Sequence, residues 1–180
     1  MKQLIVAAFL FLQVSLVAQN QSSTREFIDK ASFLQINKDW TITAEFYSGL
    51  GEYVKFYPVE MMDLKSKETR DALQLEMHTK SGAEWADAEA WVGLDEVAGL
   101  INFVESYVIP NLDLELRKKS KEFIFESKEM KLSFMVHERQ RRISIWLNNY
   151  GKDGGSKYYF WTESQINNIT YLLQVLKRIK

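Results

Sequence analysis

The 180-residue chain contains no cysteine, two histidines and two prolines, and only eight glycines. Without cysteine there is no thiol nucleophile, no thiolate metal site, no disulfide and no acceptor for a lipid. Scarce glycine and proline exclude collagenous and low-complexity classes. No apolar run reaches the roughly 20 residues that a bilayer-crossing helix requires. What the chain does have is aromatic mass, 11 Phe, 8 Tyr and 5 Trp. That is core material for one compact domain, or two small repeats sharing a core, able to stand without metal or disulfide.

The longest apolar stretch, Leu4 to Ala18, follows Met1-Lys2, and the next charge is Arg25. This is the layout of a secretory signal peptide over residues 1–18, with cleavage after Ala18 or Gln19. Gln13, Ser15 and the short span argue against a transmembrane anchor. The mature chain is therefore expected to be a soluble bacterial protein, periplasmic or secreted, with no membrane anchor after cleavage. Residues 19–36 form an N-terminal extension with a short helix from Ser23 to Leu34.

Downstream, apolar and polar residues alternate with the period of half-buried strands. The first series is Trp40-Ile42-Ala44-Phe46, ended by the turn Ser48-Gly49-Leu50-Gly51. Tyr53 to Val59 follows, where Pro58 predicts a sheet edge or a strand end. Leu73-Leu75-Met77 and a run ending near Val92 complete four strands. The period then changes: Val97, Leu100, Ile101, Val104 and Val108 mark one stripe of a helix from Leu94 to Val108, with Asp95 and Glu96 in its first turn and Pro110 ending it.

Residues 121–180 repeat this order. Phe123 to Glu126, Met130 to His137, Ile143 to Leu147 and Lys157 to Trp161 read as strands, with a glycine-rich loop at 151–155. Thr162-Glu163-Ser164-Gln165 reads as a capping box, opening a helix whose stripe is Ile166, Ile169, Leu173 and Leu176. In this alignment Trp91 matches Phe160, Gly93 matches Thr162, Glu96 matches Gln165, Val97 matches Ile166, Leu100 matches Ile169 and Val104 matches Leu173. The expected fold is α+β, two ββββα repeats over residues 37–110 and 121–180, each an antiparallel sheet packed by one amphipathic helix. Residues 111–120 link them, and Leu112, Leu114 and Leu116 suggest a further short strand there. Tandem ββββα units, each last strand carrying an aromatic before the helix, resemble the layout of PUR repeats and whirly-type folds. The resemblance is one of element order, carries no family motif, and implies two units that pack their helices together.

Residues 1–110 carry 9 basic against 16 acidic residues, a net charge of -7, whereas residues 111–180 carry 14 against 8, a net of +6. The near-neutral total conceals two oppositely charged halves, which can attract each other or present binding surfaces. Period-2 arithmetic places Lys131, Ser133, Met135, His137, Arg142, Ser144 and Trp146 on the outer face of the second sheet, a basic surface with a large aromatic. On the first sheet it exposes Tyr47, Tyr53, Lys55, Tyr57, Gln74, Glu76, His78, Asp87, Glu89 and Trp91, an acidic and aromatic surface. Arg139-Gln140-Arg141-Arg142 is the densest basic run, at a hairpin. The candidate binding residues are thus Lys131, His137, Arg139, Arg141, Arg142 and Trp146 in the second half and Tyr53, Tyr57 and Trp91 in the first.

Catalytic patterns are sparse. His137 has no second histidine at helical metal spacing, and Glu76 with His78 offers only a weak surface metal pair. There is no Gly-x-Ser-x-Gly, and the 151–157 loop lacks a phosphate-loop ending. Glu84, Asp87 and Glu89 are candidate carboxylates for glycoside chemistry. No catalytic residue, metal site or cofactor follows from the sequence. The reading is an exported, non-enzymatic binding or protein-interaction module of the cell envelope, its partner a protein, peptide or glycan. The alternatives are an envelope hydrolase acting through carboxylates, and single-strand nucleic-acid binding on a sheet face. The acidic half and the export signal disfavour the latter. A homodimer formed through the helices is compatible with the pattern.

Overall fold

The computed structural model describes residues 23–81, 83–148 and 157–179. The expected signal peptide, its cleavage site and the 151–155 loop lie outside the described residues. The fold is α+β with two antiparallel sheets. The first contains β1 (Leu34–Lys38), β2 (Ala44–Tyr47), β3 (Tyr53–Asp63), β4 (Thr69–Ser81) and β5 (Glu84–Gly93). The second contains β6 (Ser120–Glu126), β7 (Met130–His137), β8 (Gln140–Asn148) and β9 (Lys157–Thr162), paired in sequence order. Helix α1 (Thr24–Lys30) precedes the first sheet, α2 (Leu94–Phe103) follows it, and α3 (Ile169–Leu176) follows the second. No described helix is long and apolar enough to cross a membrane.

Alternation explains the sheets. Val54, Phe56, Leu73, Leu75 and Met77 are buried on the inner face of the first, and Leu132, Phe134, Ile143 and Ile145 on that of the second. Both inner faces and both long helices enter one continuous core, in which Leu100 and Ile169 are fully buried. The stripe on α2 holds through a wider helical turn at Val104–Val108, which keeps Val104 and Val108 inward before a tight turn containing Pro110. On α3 the expected stripe shifts. Ile166–Asn168 form a 3-10 turn that changes the helical phase, so Leu172 and Val175 are buried and Leu173 is only partly so.

The first half departs from four strands. The expected helix to Leu34 stops at Lys30, and Leu34–Lys38 instead joins the sheet as a fifth strand. β1 and β2 lie end to end along the same side of β3, β1 opposite Val59 to Asp63 and β2 opposite Tyr53 to Phe56. Between them residues 39–43 leave the ladder, a long bulge facing Tyr57 and Pro58. Pro58 explains the break, because its missing N–H faces the interrupted edge while its carbonyl still accepts from Asp39 N–H at 3.3 Å. The proline therefore marks neither an edge nor an end. β3 lies inside the sheet and continues to Asp63. Trp40, expected in a strand, rides on the bulge with its ring edge-on to Tyr57 at 5.1 Å.

Helix α1 is capped by Ser23, whose hydroxyl accepts from Glu26 N–H at 3.1 Å. Its Phe27 packs on the outer face of the first sheet with Tyr57, Val59, Met61, Ala72 and Trp91 as a second, smaller core. Arg25 reaches the β6–β7 turn, where Nε and Nη2 donate to the two oxygens of Glu129 at 3.1 and 3.0 Å. Glu129, 3% exposed, also accepts from Trp91 N–H at 3.0 Å. At Gly93 a Cβ would stand 2.5 Å from Asp95 Oδ1 and 2.7 Å from Thr24 Oγ1, so a larger residue there would make these two side chains shift at the start of α1 and α2.

The predicted capping box serves another purpose. Thr162 lies in β9 and its hydroxyl donates to the Tyr47 carbonyl at 3.0 Å, while Gln165 Oε1 accepts from Tyr47 N–H at 2.8 Å. Asn168 Nδ2 donates to the Glu45 carbonyl at 2.7 Å. Side chains of the second unit thus satisfy the outward backbone of β2, closing an edge that would otherwise pair with another chain. The pairing of Trp91 with Phe160 also fails, since Phe160 enters the shared core and Trp91 the cluster beneath α1. Residues 112–119 form no strand.

Candidate functional site

On the second sheet the register brings Lys131, Trp146 and Arg142 to one outer face, as the alternation predicts. Lys131 Nζ stands 5.2 Å from the Trp146 ring centre, and the Arg142 guanidinium 4.6 Å from that of Trp161. Trp146 packs against Tyr159 at 5.0 Å. The face is not uniformly basic. Glu122 and Glu126 on β6 join it opposite Met135 and Lys131, and Arg142 is held by Glu163 at 2.6 Å. His137 and Arg139 are exposed at the hairpin, Arg139 pairing with Glu115 at 3.4 Å. Arg141 turns toward the linker instead, donating to the carbonyls of Leu112 at 2.8 Å and Leu114 at 2.6 Å. It pins residues 112–114 and leaves the basic run divided.

On the first sheet Tyr47, Tyr53, His78 and Trp85 form a row of rings across four strands, with centres 6.0, 5.2 and 4.8 Å apart. His78 stacks between Tyr53 and Trp85 and its Nδ1 bonds Asp87 at 2.7 Å. Beside this row Glu45 pairs with Lys55 at 3.4 Å, Glu76 pairs with Lys38, and Glu89 accepts from Gln74 at 3.2 Å. Among the described residues no group of three or more His, Asp or Glu is placed to hold a metal ion. Tyr57 and Trp91, expected to be exposed here, are buried, because α1 covers their end of the sheet.

The broken edge creates the feature that alternation alone does not foretell. A groove of about 1070 Å³ follows the interruption, lined by residues of β1, β3 and β4, by Asp39, Trp40 and Ile42 of the bulge, and by Arg178 and Ile179 beyond α3. Strand register divides its walls between the two faces of the sheet. The outer wall has Ile36, Lys38, Val59 and Gln74, with the Trp40 ring 67% exposed beside them. The inner wall has Asn37, Pro58, Glu60 and Asp71. A neighbouring groove of about 450 Å³ shares Ile42 and Arg178 and adds Thr41, Thr43 and the exposed Tyr171.

The polar groups of the groove differ in how they are satisfied. Lys38 Nζ lies 4.5 Å from the Tyr57 ring centre and 4.9 Å from that of Trp40, and pairs with Glu76. Gln74 is 5% exposed; its amide nitrogen donates to Glu89 but its Oε1 has no hydrogen-bond partner among the described residues. Asp71 stands opposite Glu60 across β3 and β4. Burial pushes the Asp71 carboxyl above its ordinary range, and the Glu60 charge adds to the shift. Asp39 is held below its usual range by hydrogen bonds from Thr41.

A raised carboxyl favours the folded state in its protonated form. The contribution of Asp71 is therefore fully present below the unfolded pKa and lost as pH rises through the folded one. At neutral pH the charge is a cost, and Asp71→Asn is expected to stabilise the protein by roughly 0.2–1 kcal/mol, the scale for like charges opposed across strands. Thermal unfolding should show the gain at neutral pH and its disappearance in acid, where the Asp71 carboxyl takes up its proton. A variant less stable than wild type at neutral pH would refute the like-charge account. The sequence offered alternation but no register, so the Glu60–Asp71 pair, the exposed Trp40 and the partnerless Gln74 oxygen were legible only once the bulge was in place. No family model matches the chain, and no curated protein is significantly similar to it.

Proposed function

We propose that the protein is a non-catalytic binding module, exported to the periplasm or beyond the cell, that holds a glycan chain in the groove at the broken edge of its first sheet. One observation carries this reading: a groove of about 1070 Å³ walled by polar groups of both kinds, with the Trp40 ring largely exposed at its rim. A sugar ring presents an apolar face to stack on an indole and hydroxyls that need donors and acceptors together. The adjoining groove with Tyr171 lengthens the path and suits an oligomer. A peptide or protein partner uses the same types of contact, and the aromatic row from Tyr47 to Trp85 is a second surface for one.

The test is a thermal-shift screen of the protein with oligosaccharides and peptides, since a ligand that binds only the folded state raises the melting temperature by mass action. Trp40→Ala is expected to weaken glycan binding roughly tenfold or more, about 1.4 kcal/mol. Its contact with Tyr57 bounds the loss of stability at about 0.5–1.5 kcal/mol. Glycan binding indifferent to Trp40 would overturn the assignment of the groove.

A second reading, a glycan hydrolase, is favoured by the opposed carboxyls of Glu60 and Asp71 on the inner wall, one of them pushed upward. Paired carboxyls are the usual equipment for glycoside hydrolysis. Release of reducing ends from a bound oligosaccharide, lost in Asp71→Asn, would replace the binding reading by this one.

A further inference from the structure

A strand at the margin of a sheet carries backbone groups with no strand beside them, and side chains meet such groups along three margins of this fold. Those of β2 are taken by Thr162, Gln165 and Asn168, the Trp91 N–H of β5 by Glu129, and the Tyr159 carbonyl of β9 by Thr79 Oγ1 at 3.0 Å. β6 differs. The bonds at the two ends of its ladder run from Ser127 N–H to the Met130 carbonyl at 2.8 Å and from Glu138 N–H to the Lys119 carbonyl at 3.4 Å. They fix the phase of the pairing, so that odd-numbered residues turn their backbone toward β7. Ser120, Glu122, Ile124 and Glu126 therefore turn theirs outward, and among the described residues none of these backbone groups has a partner. All four side chains are exposed, that of Ile124 by 50%. On the opposite face Tyr107, 47% exposed, stands beside Phe123 with ring centres 6.0 Å apart, so apolar surface borders the open edge on both sides.

The sequence of β6 selects what can pair there. In an antiparallel pair the residues opposed must share a face, so a second β6 can be matched only even with even and odd with odd. The register centred on Phe123 engages all of Ser120–Glu126. It sets Glu122 opposite Ile124 of the second copy, Ser120 opposite Glu126, Lys121 opposite Phe125, and Phe123 opposite itself. No like charges stand directly opposed. A slip of two residues in either direction sets Glu122 against its own copy or against Glu126, which is unfavourable. The same register brings the basic run Arg117-Lys118-Lys119, which leads into β6, to the end of the second strand that carries Glu126.

We infer that the outward edge of β6 pairs with β6 of a second copy of this chain, antiparallel about a two-fold axis at Phe123, joining two four-stranded sheets into one. A copy is favoured over an unrelated extended peptide because the strand complements itself along its whole length, in charge and in its exposed aliphatic and aromatic side chains. β6 lines no part of the groove at the broken edge, so the inference stands apart from the glycan reading.

The experiment is sedimentation equilibrium of the full chain over a range of concentrations, with Ile124→Pro, Ile124→Glu and the double variant Glu122→Lys, Ile124→Glu. Each is first shown to unfold like wild type, which is expected because residue 124 bonds no neighbour within the subunit. The expected result is a wild-type mass twice that of one chain. Ile124→Pro removes an outward N–H and should leave a monomer. Ile124→Glu opposes Glu122 at two symmetric places and should weaken the dimer at least tenfold, and adding Glu122→Lys should restore it. Amide exchange of wild type tests the same edge without a variant: Glu122 and Ile124 should gain protection as concentration rises. A monomer at every concentration, or exchange of these amides that ignores concentration, overturns the inference. A dimer indifferent to Ile124→Pro and Ile124→Glu overturns it in favour of another surface, the helices included. Weakening by Ile124→Glu without rescue by Glu122→Lys overturns the register centred on Phe123.

Discussion

Replacing Arg25 by alanine is expected to destabilise the protein by about 3–5 kcal/mol, the cost of leaving a buried charge without its partner. Glu129 is the reason. Its carboxylate is removed from water, and three of its hydrogen bonds come from Arg25 and from Trp91 N–H, on elements distant in sequence. Burial alone would push the Arg25 guanidinium down, but the bidentate bond and the charge of Glu129 outweigh it and raise it. With the guanidinium gone, Glu129 must either stay charged in a dry site or take up a proton, and both alternatives favour unfolding. Denaturant unfolding of Arg25→Ala would measure the loss.

The companion variant separates the pair from the packing around it. Converting both Arg25 and Glu129 to leucine removes the uncompensated charge, and such exchanges of buried ion pairs are often neutral. Trp91 N–H then loses its acceptor, at about 1–3 kcal/mol. The double variant should therefore be more stable than Arg25→Ala alone. Equal or lower stability would mean that α1 is anchored chiefly by Phe27 and its neighbours, and that the ion pair is incidental to the closure of the smaller core.

How much of this was legible beforehand depends on the range of the interaction. Period-2 alternation located β6 to β9 within a few residues and put Lys131, Arg142 and Trp146 on one face, because strand faces follow from sequence parity alone. Parity could not reveal that α1 covers Tyr57 and Trp91, since a residue on the outer face is exposed only if no other element lands there. β1 is silent in the sequence for a related reason. Three of its five residues are exposed, so its burial pattern offers no alternation to read. Pro58 signals a break in the sequence pattern of β3, but the break that it causes lies in the neighbouring edge. The groove follows from that break and so could not be placed before it.

The shared core gives the second large effect. Leu100 on α2 and Ile169 on α3 are both fully buried in a single cluster that includes inner-face residues of both sheets. Truncating either to alanine is expected to cost about 2–5 kcal/mol, the transfer of the lost atoms plus the cavity left behind. The size of the loss tests burial, and its form tests architecture. If the two sheet-and-helix units were independent, Leu100→Ala would lower only the transition reported by the first sheet and Ile169→Ala only that of the second. A common core instead requires each substitution to shift one cooperative transition of the whole molecule. Amide exchange resolved along the chain separates the cases. Protection in β3, β4, β7 and β8 should fall together in both variants. Loss confined to one sheet would show that the helical stripes are packed locally, and that the units of this chain fold apart.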